Sequence, residues 1–169
     1  MTGVNPQELR NTLGRFATGV TIVTTVDTEG RRYGITANSY NSVSLDPPLV
    51  LWSLAKSSRS LDAFKDAPAF AIHILSAHQE ALAMRFAARD VEDKFAGLHL
   101  SEGHGGVPLF DECAAHLECV TENRFEGGDH VIFLGRVVNF ERCDNEPLIF
   151  HDGRFTSIAR RDGEAEDDG

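Results

Sequence analysis

The sequence predicts a mainly β chain with flanking helices, and three observations carry that expectation. Segments of period-two or continuous apolar character recur at seven or eight places, whereas only two or three segments repeat with a helical period. Strands and helices do not alternate regularly, so a barrel with helical excursions fits better than a doubly wound parallel sheet. The 169 residues, 41% of them apolar, suit one domain that buries roughly 70% of its unfolded surface. No internal repeat or linker marks a second domain. The reading is one domain over residues 1–160 and an acidic, disordered tail over 161–169.

The first element is a helix. Asn5-Pro6-Gln7-Glu8 supplies a cap, a proline for the first helical position and an acid placed to reach back, and Leu9, Leu13 and Phe16 make one apolar stripe. The period then drops to two. Thr18–Val26 is almost wholly β-branched, with Val20, Ile22 and Val26 on one face, and Asp27–Gly30 turns the chain. Tyr33–Ala37 and Tyr40–Leu45 read as strands. Asp46-Pro47-Pro48 forces an extended break before Leu49–Leu54, a nearly all-apolar strand of the doubly buried kind.

A polar loop, Lys56–Ser60, opens a short helix through Leu61 and Phe64 that ends before Pro68. Ala69–Leu75 is another buried strand. Ser76 with Gln79 forms a capping box for a helix carrying Leu82 and Phe86 to about Ala88. The stretch from Gly97 to Pro108 reads as glycine-rich loop. Ala114–Glu122 and His130–Arg142 form a long hairpin joined by Glu126-Gly127-Gly128, with Ile132, Leu134, Val138 and Phe140 sharing one face of the second arm. Asp152-Gly153 marks a last hairpin between Leu148–Phe150 and Phe155–Ile158.

Charge narrows the possible partners. The net charge is −10, and the segment from Asp162 to Gly169 contributes five acids and no base. The remainder lacks the cationic excess that a phosphate backbone requires, so nucleic acid is excluded as a partner. Three cysteines, Cys113, Cys119 and Cys143, form no CxxC pair and read as free, largely buried thiols of a reducing compartment. Phe16–Val26 contains four threonines and leads into an acidic turn, unlike a signal-peptide core. No run of 18 apolar residues occurs, so no membrane segment is expected and the predicted location is cytoplasmic.

Several familiar signatures fail. Ser53-Leu54-Ala55-Lys56 fits SxxK, but the sequence has neither SDN nor KTG. Gly103-His104-Gly105-Gly106 is not GxGxxG and follows no expected strand. The histidine pairs 73/78 and 99/104 lack HExxH or a flanking cysteine pair, so no metal site is assigned.

Three polar clusters remain. Lys56-Ser57-Ser58-Arg59-Ser60 brings hydroxyls, backbone N–H groups and cations together after a buried strand, as a phosphate requires; the other reading is a solvated loop whose serine caps a helix. Arg85-Phe86-Ala87, Arg89 and Asp93-Lys94-Phe95 could complete an anion site or be the wet face of a helix. Gly127-Gly128-Asp129-His130 places a histidine at a hairpin tip where glycines permit close approach of a ligand, or is an ordinary turn.

Read in order, the segments Ala17–Thr24, Gly34–Ser39, Val43–Val50, Lys56–Ser60, Asp93-Lys94-Phe95, Gly128-Asp129-His130 and Pro147–Phe155 resemble the flavin reductase family with the FMN-binding split-barrel fold. The resemblance covers roughly residues 8–158. It implies a homodimer of six-stranded Greek-key split barrels that binds FMN or FAD near the dimer interface. By position, Thr36, Ala37, Asn38 and Ser39 would line the isoalloxazine ring, and Ser53, Leu54 and Ala55 would continue that wall. Ser57, Ser58 and Ser60 match the segment holding the ribityl phosphate, Lys94 a phosphate-side cation, and Arg85, Phe86 and Ala87 a flavin-contacting helix end. His130 matches a position associated with the nicotinamide and is the one catalytic candidate, with His151 and Arg154 adding to the nucleotide pocket. Phe155 stands where relatives often carry tyrosine.

The implied activity is an NAD(P)H:flavin oxidoreductase that uses NADH or NADPH as hydride donor. Its reduced flavin would diffuse to a partner flavin-dependent monooxygenase component. Hydride transfer needs little acid–base help, which accounts for the lack of a triad or metal motif. The alternatives are a non-catalytic flavin-binding or storage protein on the same barrel, and a pyridoxamine-phosphate-oxidase-like enzyme.

Overall fold

The structure is a computed structural model that describes residues 3–159. Helix α1 (Pro6–Leu13) leads into β1 (Thr18–Gly19), β2 (Thr21–Val26), β3 (Arg32–Ala37), β4 (Asn41–Leu45) and β5 (Pro48–Ala55). After α2 (Leu61–Asp66) come β6 (Ala69–Ile74), a 3-10 turn (Ala77–Gln79) and α3 (Glu80–Ala87). Then follow β7 (Leu100–Glu102), β8 (Pro108–Phe110), the long pair β9 (Ala115–Gly127) and β10 (His130–Arg142), and the hairpin β11 (Ile149–His151) with β12 (Arg154–Thr156).

The chain is mainly β with a few helices. Its main sheet has the order β3-β2-β6-β9-β10-β5-β4, with every neighbouring pair antiparallel. That is seven strands where the resemblance implies six: β4 is an outer strand on β5, and all but one of its residues are exposed. The sheet curls, because Ile35 near one edge and Trp52 and Leu54 near the other pack in a single core cluster with Val23, Phe70 and Phe133. Ser39, on the link between β3 and β4, ties the curl. Its hydroxyl donates to the Ser53 carbonyl at 3.1 Å and accepts from the Ser53 N–H at 2.9 Å.

Trp52 is the centre of this core. It stacks on Phe133 at 4.9 Å and meets Phe64 edge-on at 4.9 Å. Burying each such ring contributes on the order of 2–3 kcal/mol. A second cluster, behind β2, joins Val20 and Ile22 to Phe86, Phe95 and Phe110. Strand β2 therefore separates two cores and is buried on both faces, rather than on the one face its alternation suggests. Its threonines survive burial because Thr21, Thr24 and Thr25 donate to the carbonyls of Ala37, Pro108 and Ala69 at 2.6–2.7 Å.

Local signals explain most boundaries. Asn5 Oδ1 accepts from the Gln7 and Glu8 N–H groups, and Ser76 and Gln79 form the expected capping box. At the β2–β3 turn Asp27 accepts from the N–H groups of Glu29 and Arg31, and the Arg31 guanidinium holds its carboxyl down at about 2. Asp152 and Gly153 both take positive φ (52° and 76°), the geometry that Asp-Gly predicts for a tight hairpin.

Three expectations are corrected and one face is assigned. Strand β5 alternates instead of being doubly buried: Val50, Trp52 and Leu54 face the core, while Leu49, Leu51 and Ser53 stay partly exposed. In β10 the inward residues are Val131, Phe133 and Gly135, so the face of Ile132, Leu134, Val138 and Phe140 is not the inward one. Both faces of that strand are apolar, so period two alone leaves the face undetermined. The stretch from Gly97 to Pro108 holds the β7–β8 hairpin, made possible by Gly105 and Gly106 at φ 70° and 81°. The α1 stripe does not reach the core, since Leu13 and Phe16 are 65% and 79% exposed.

Cys113 and Cys119 are buried free thiols, pushed up to about 12 chiefly by desolvation, whereas Cys143 is exposed. Among the described residues no helix is long and apolar enough to cross a membrane. The acidic tail lies outside the described residues.

Candidate functional site

A cavity of about 730 Å³ opens between β3, the loop after β5, and the segment that follows α3. Its position follows from packing. Gly34 on β3 has no side chain, and a Cβ there would meet the Phe86 ring at 2.6 Å. That gap lets α3 lie directly on β3, and Thr36 fastens it by donating to the Ala83 carbonyl at 2.6 Å. The chain leaving α3 then forms one wall and β3 the opposite one.

Thirteen predicted residues line this cavity. Thr36, Ala37, Asn38 and Ser39 form the β3 wall, and Ser53, Leu54 and Ala55 come from β5. Ser57, Ser58 and Ser60 follow in the loop, and Ala87, Lys94 and His130 complete the set. Of the β3 wall, the Thr36 and Ser39 hydroxyls are engaged within the protein, so Asn38 and backbone groups are what remain for a ligand.

The serine loop is the most polar part. Ser60 occupies the position before α2, yet its hydroxyl makes no capping bond, and that of Ser57 makes no hydrogen bond among the described residues. Arg59 also lines the cavity, without an ion pair among the described residues. Lys94 Nζ donates to the Phe86 carbonyl at 2.8 Å. Burial, and then the like charge of Arg59, push the Lys94 ammonium below the usual lysine value. Two cations held near each other beside unbonded hydroxyls make a receptor for an oxyanion such as phosphate.

At the other end His130 opens β10, opposite Ala55 on β5, and its Nδ1 lies 2.8 Å from Asp129 Oδ1. The imidazole holds the Asp129 carboxyl below its usual range. With Nδ1 occupied by a carboxylate, Nε2 is the nitrogen available to a ligand.

Four predicted residues are not brought to the cavity. Phe86 is fully buried beneath β3, and Arg85 donates to the Ala96 carbonyl at 2.6 Å, clamping the loop instead of facing the cavity. His151 and Arg154 belong to the β11–β12 hairpin in a separate sheet. Lys56 also turns away, paired with Glu126 on β9. Conversely, Arg32, Tyr33, Arg89, Val91 and Glu92 line the cavity and were not singled out, except Arg89 as part of a cationic cluster. Arg32 and Tyr33 open an ordinary strand, and Arg89, Val91 and Glu92 lie in the irregular segment after α3, so no local pattern marks them.

Comparison with known proteins gives one answer. The flavin reductase like domain matches residues 13–159. A Rhizobium meliloti protein described as "Probable flavin reductase" is 50% identical over 151 residues, covering 89% of this chain and 48% of its own length. The chain thus spans about half of that relative. It is 44% identical to the FMN reductase (NADH) SmoA of Agrobacterium fabrum, across 94% of this chain and 90% of that one. The reductase subunit HsaB of a Rhodococcus jostii flavin-dependent monooxygenase is 39% identical over 92% of this chain and 79% of its own. Among solved structures, the Streptomyces globisporus NADH:FAD oxidoreductase in complex with NAD and FAD fragments has a TM-score of 0.87 and 40% identity, covering 97% of this chain and all of that one. The chain belongs to the family defined by the flavin reductase like domain.

Proposed function

We propose that this chain is an NAD(P)H:flavin oxidoreductase that reduces FMN or FAD and releases it to a flavin-dependent monooxygenase. The observation that carries the reading is the meeting of Arg59 and Lys94 beside the unbonded hydroxyls of Ser57 and Ser60, which suits a flavin phosphate. Flavin, when bound, supplies the electron-accepting ring to which the nicotinamide passes its hydride. Asn38 and the strand backbones of β3 and β5 orient that ring, and the serine loop holds its phosphate. His130 orients the nicotinamide at the open end, with Asp129 fixing the imidazole through Nδ1. Arg85 and Phe86 support this arrangement from behind, and His151 and Arg154, on the β11–β12 hairpin, lie outside the cavity of a single chain.

The chain works as a homodimer with its curled sheet as a split barrel. The exposed stripe of Leu9, Leu13 and Phe16 supports the dimer, because surfaces of that kind are covered in stable proteins. A cytoplasmic setting suits the dependence on nicotinamide and the free thiols. The test mixes protein, flavin and NADH and follows the nicotinamide absorbance. Turnover proportional to protein is expected, and tight flavin binding without turnover would make this a storage protein. His130→Ala should raise KM for the nicotinamide severalfold, or lower kcat, with flavin affinity unchanged. Unaltered kinetics would remove His130 from the site.

A further inference from the structure

We propose that Cys113 and Cys143 are a modification site: a thiol pair that hydrogen peroxide closes to a disulfide and a small thiol reductant reopens. The pair lies outside the flavin cavity, and its chemistry is independent of the proposed activity.

Placement is the first argument. Both cysteines line a second cavity, of about 140 Å³, at the open end of the β9–β10 hairpin. There Arg142 stands opposite Ala115, and the next residues out are joined by the Cys143 N–H donating to the Ala114 carbonyl at 2.9 Å. Opposed residues of this kind lie about 5.5 Å apart at Cα, and a disulfide spans Cα atoms up to about 7 Å apart. Cys113 is the neighbour of Ala114. The chain bends before β9 instead of extending the strand: Glu112 has φ 60°, and the carbonyls of Asp111 and Glu112 accept from Gln79 Nε2 and Ser76 Oγ at 2.9 and 2.8 Å. That bend brings Cys113 to the same cavity as Cys143. Burial pushes the Cys113 thiol up to about 12, and the charge of Cys143 adds to the rise, so the two sulfurs are electrostatic neighbours. Cys119 belongs to the other core cluster.

The two thiols divide the chemistry between them. Cys143 is exposed and Cys113 is 4% exposed, so Cys143 meets the oxidant first. Its sulfur attacks one peroxide oxygen: an S–O bond forms, the O–O bond breaks, and the departing hydroxide leaves as water with the Cys143 proton. The Cys113 sulfur then attacks the Cys143 sulfenic acid. The S–S bond forms as the S–O bond breaks, and the second hydroxide leaves as water with the Cys113 proton. The pair loses two electrons and the peroxide gains them. His116 lines the same cavity and supplies an imidazole to carry the Cys113 proton. Asp111, Glu112 and Glu141 on that wall favour an uncharged oxidant over an anionic one. One further clause rests on the proposed function: reduced flavin that meets dioxygen instead of a monooxygenase returns to oxidised flavin and yields hydrogen peroxide, so uncoupled turnover supplies the oxidant.

The test adds hydrogen peroxide to the full chain without flavin or nucleotide, blocks the remaining thiols, and reads intact mass and a non-reducing peptide map. The mass should fall by two hydrogens before blocking, one linked peptide pair should contain Cys113 and Cys143, and the thiol titre of the denatured chain should drop from three to one. Dithiothreitol should restore all three. Cys113→Ser should stop at a Cys143 sulfenic acid that dimedone captures, Cys143→Ser should leave Cys113 unreacted over the same time, and Cys119→Ser should close the pair as the parent does. Sulfinic acid at Cys143 with Cys113 untouched, or a disulfide between two chains, would overturn the inference. A second arm replaces added peroxide with NADH, flavin and air, where the disulfide should form and catalase should prevent it. Turnover that leaves the pair open, although added peroxide closes it, would overturn turnover as the source. Absence of turnover would instead overturn the proposed function, while closure by added peroxide would still establish the site.

Discussion

Two polar regions of this molecule treat their polar groups in opposite ways. Behind β6 and β9, Glu118 is 4% exposed and accepts from the His104 N–H at 2.5 Å and from Asn139 Nδ2 at 2.8 Å, with His116 Nε2 at 3.6 Å. Beside it His73 is fully buried, with Nδ1 3.0 Å from the Ile22 carbonyl. Gly103 permits the arrangement, because a Cβ there would lie 2.8 Å from Glu118 Oε2. Around the serine loop, by contrast, Ser57, Ser60 and Arg59 have no such partners among the described residues. The Glu118 oxygens are completed from within the fold, whereas the cations and hydroxyls of the serine loop lie where a ligand from outside can complete them. The first region holds the fold, and the second waits for a ligand.

The largest test of that contrast is Glu118→Ala. It removes two charge-assisted, part-buried hydrogen bonds, from the His104 N–H and the Asn139 amide, and empties the buried space of the Glu118 side chain, at a cost of about 3 kcal/mol in unfolding free energy. Flavin affinity, measured below the midpoint of unfolding, should be unchanged. A stability loss under about 0.5 kcal/mol would mean that the buried cluster is no more structural than the cavity.

The next test is acid. Burial holds the His73 imidazole down at about 3, against 6.5 in the unfolded chain, with the Ile22 carbonyl only partly opposing the shift. Below pH 6.5 the unfolded chain takes up a proton that the folded one refuses. The stabilisation is complete above pH 6.5 and is lost as pH falls from there toward 3, by up to about 1.4 kcal/mol per pH unit. Urea unfolding at pH 6.5 and 4.5 should therefore show a loss of roughly 2–3 kcal/mol that His73→Gln reduces substantially. Identical losses in both proteins would show that His73 is not what makes this region acid-sensitive.

What the sequence disclosed follows the same division. Local chemistry was legible: the Asn5 cap, the Ser76–Gln79 box and the Asp152-Gly153 turn each depend on residues a few positions apart. The serine loop was legible as a candidate, since five polar residues after an apolar strand need a reason. The inward face of β10 was not, because Ile132 and Leu134 are as apolar as Val131 and Phe133, and only the partner Trp52 decides between them. Nor was the outer end of the cavity, since Tyr33 and Val91 are brought there by the seating of Phe86 over Gly34, a contact across 52 positions that no local pattern announces. Lys56 and Arg59 look equivalent in sequence. Glu126, 70 positions away, claims the first and leaves the second to the cavity.

That last difference gives the finest test. Arg59→Ala removes a cation that has no ion pair among the described residues, so stability should move by no more than about 0.5 kcal/mol. Its absence also relieves Lys94 of a like charge, which can only ease the folded state. Flavin is where the loss should be felt. One charge-assisted contact to phosphate is worth about 1.5 kcal/mol, so the dissociation constants for FMN and FAD should both rise about tenfold. Riboflavin, which has no phosphate, should bind the variant and the parent alike. Lys56→Ala serves as the internal comparison, because that ammonium is already matched by Glu126 and its removal should leave the affinity for both flavins unchanged. If Lys56→Ala weakened flavin binding as much as Arg59→Ala, position in the cavity would not matter. The division between internally paired and externally completed groups would then fail at the point where the two cations are most alike.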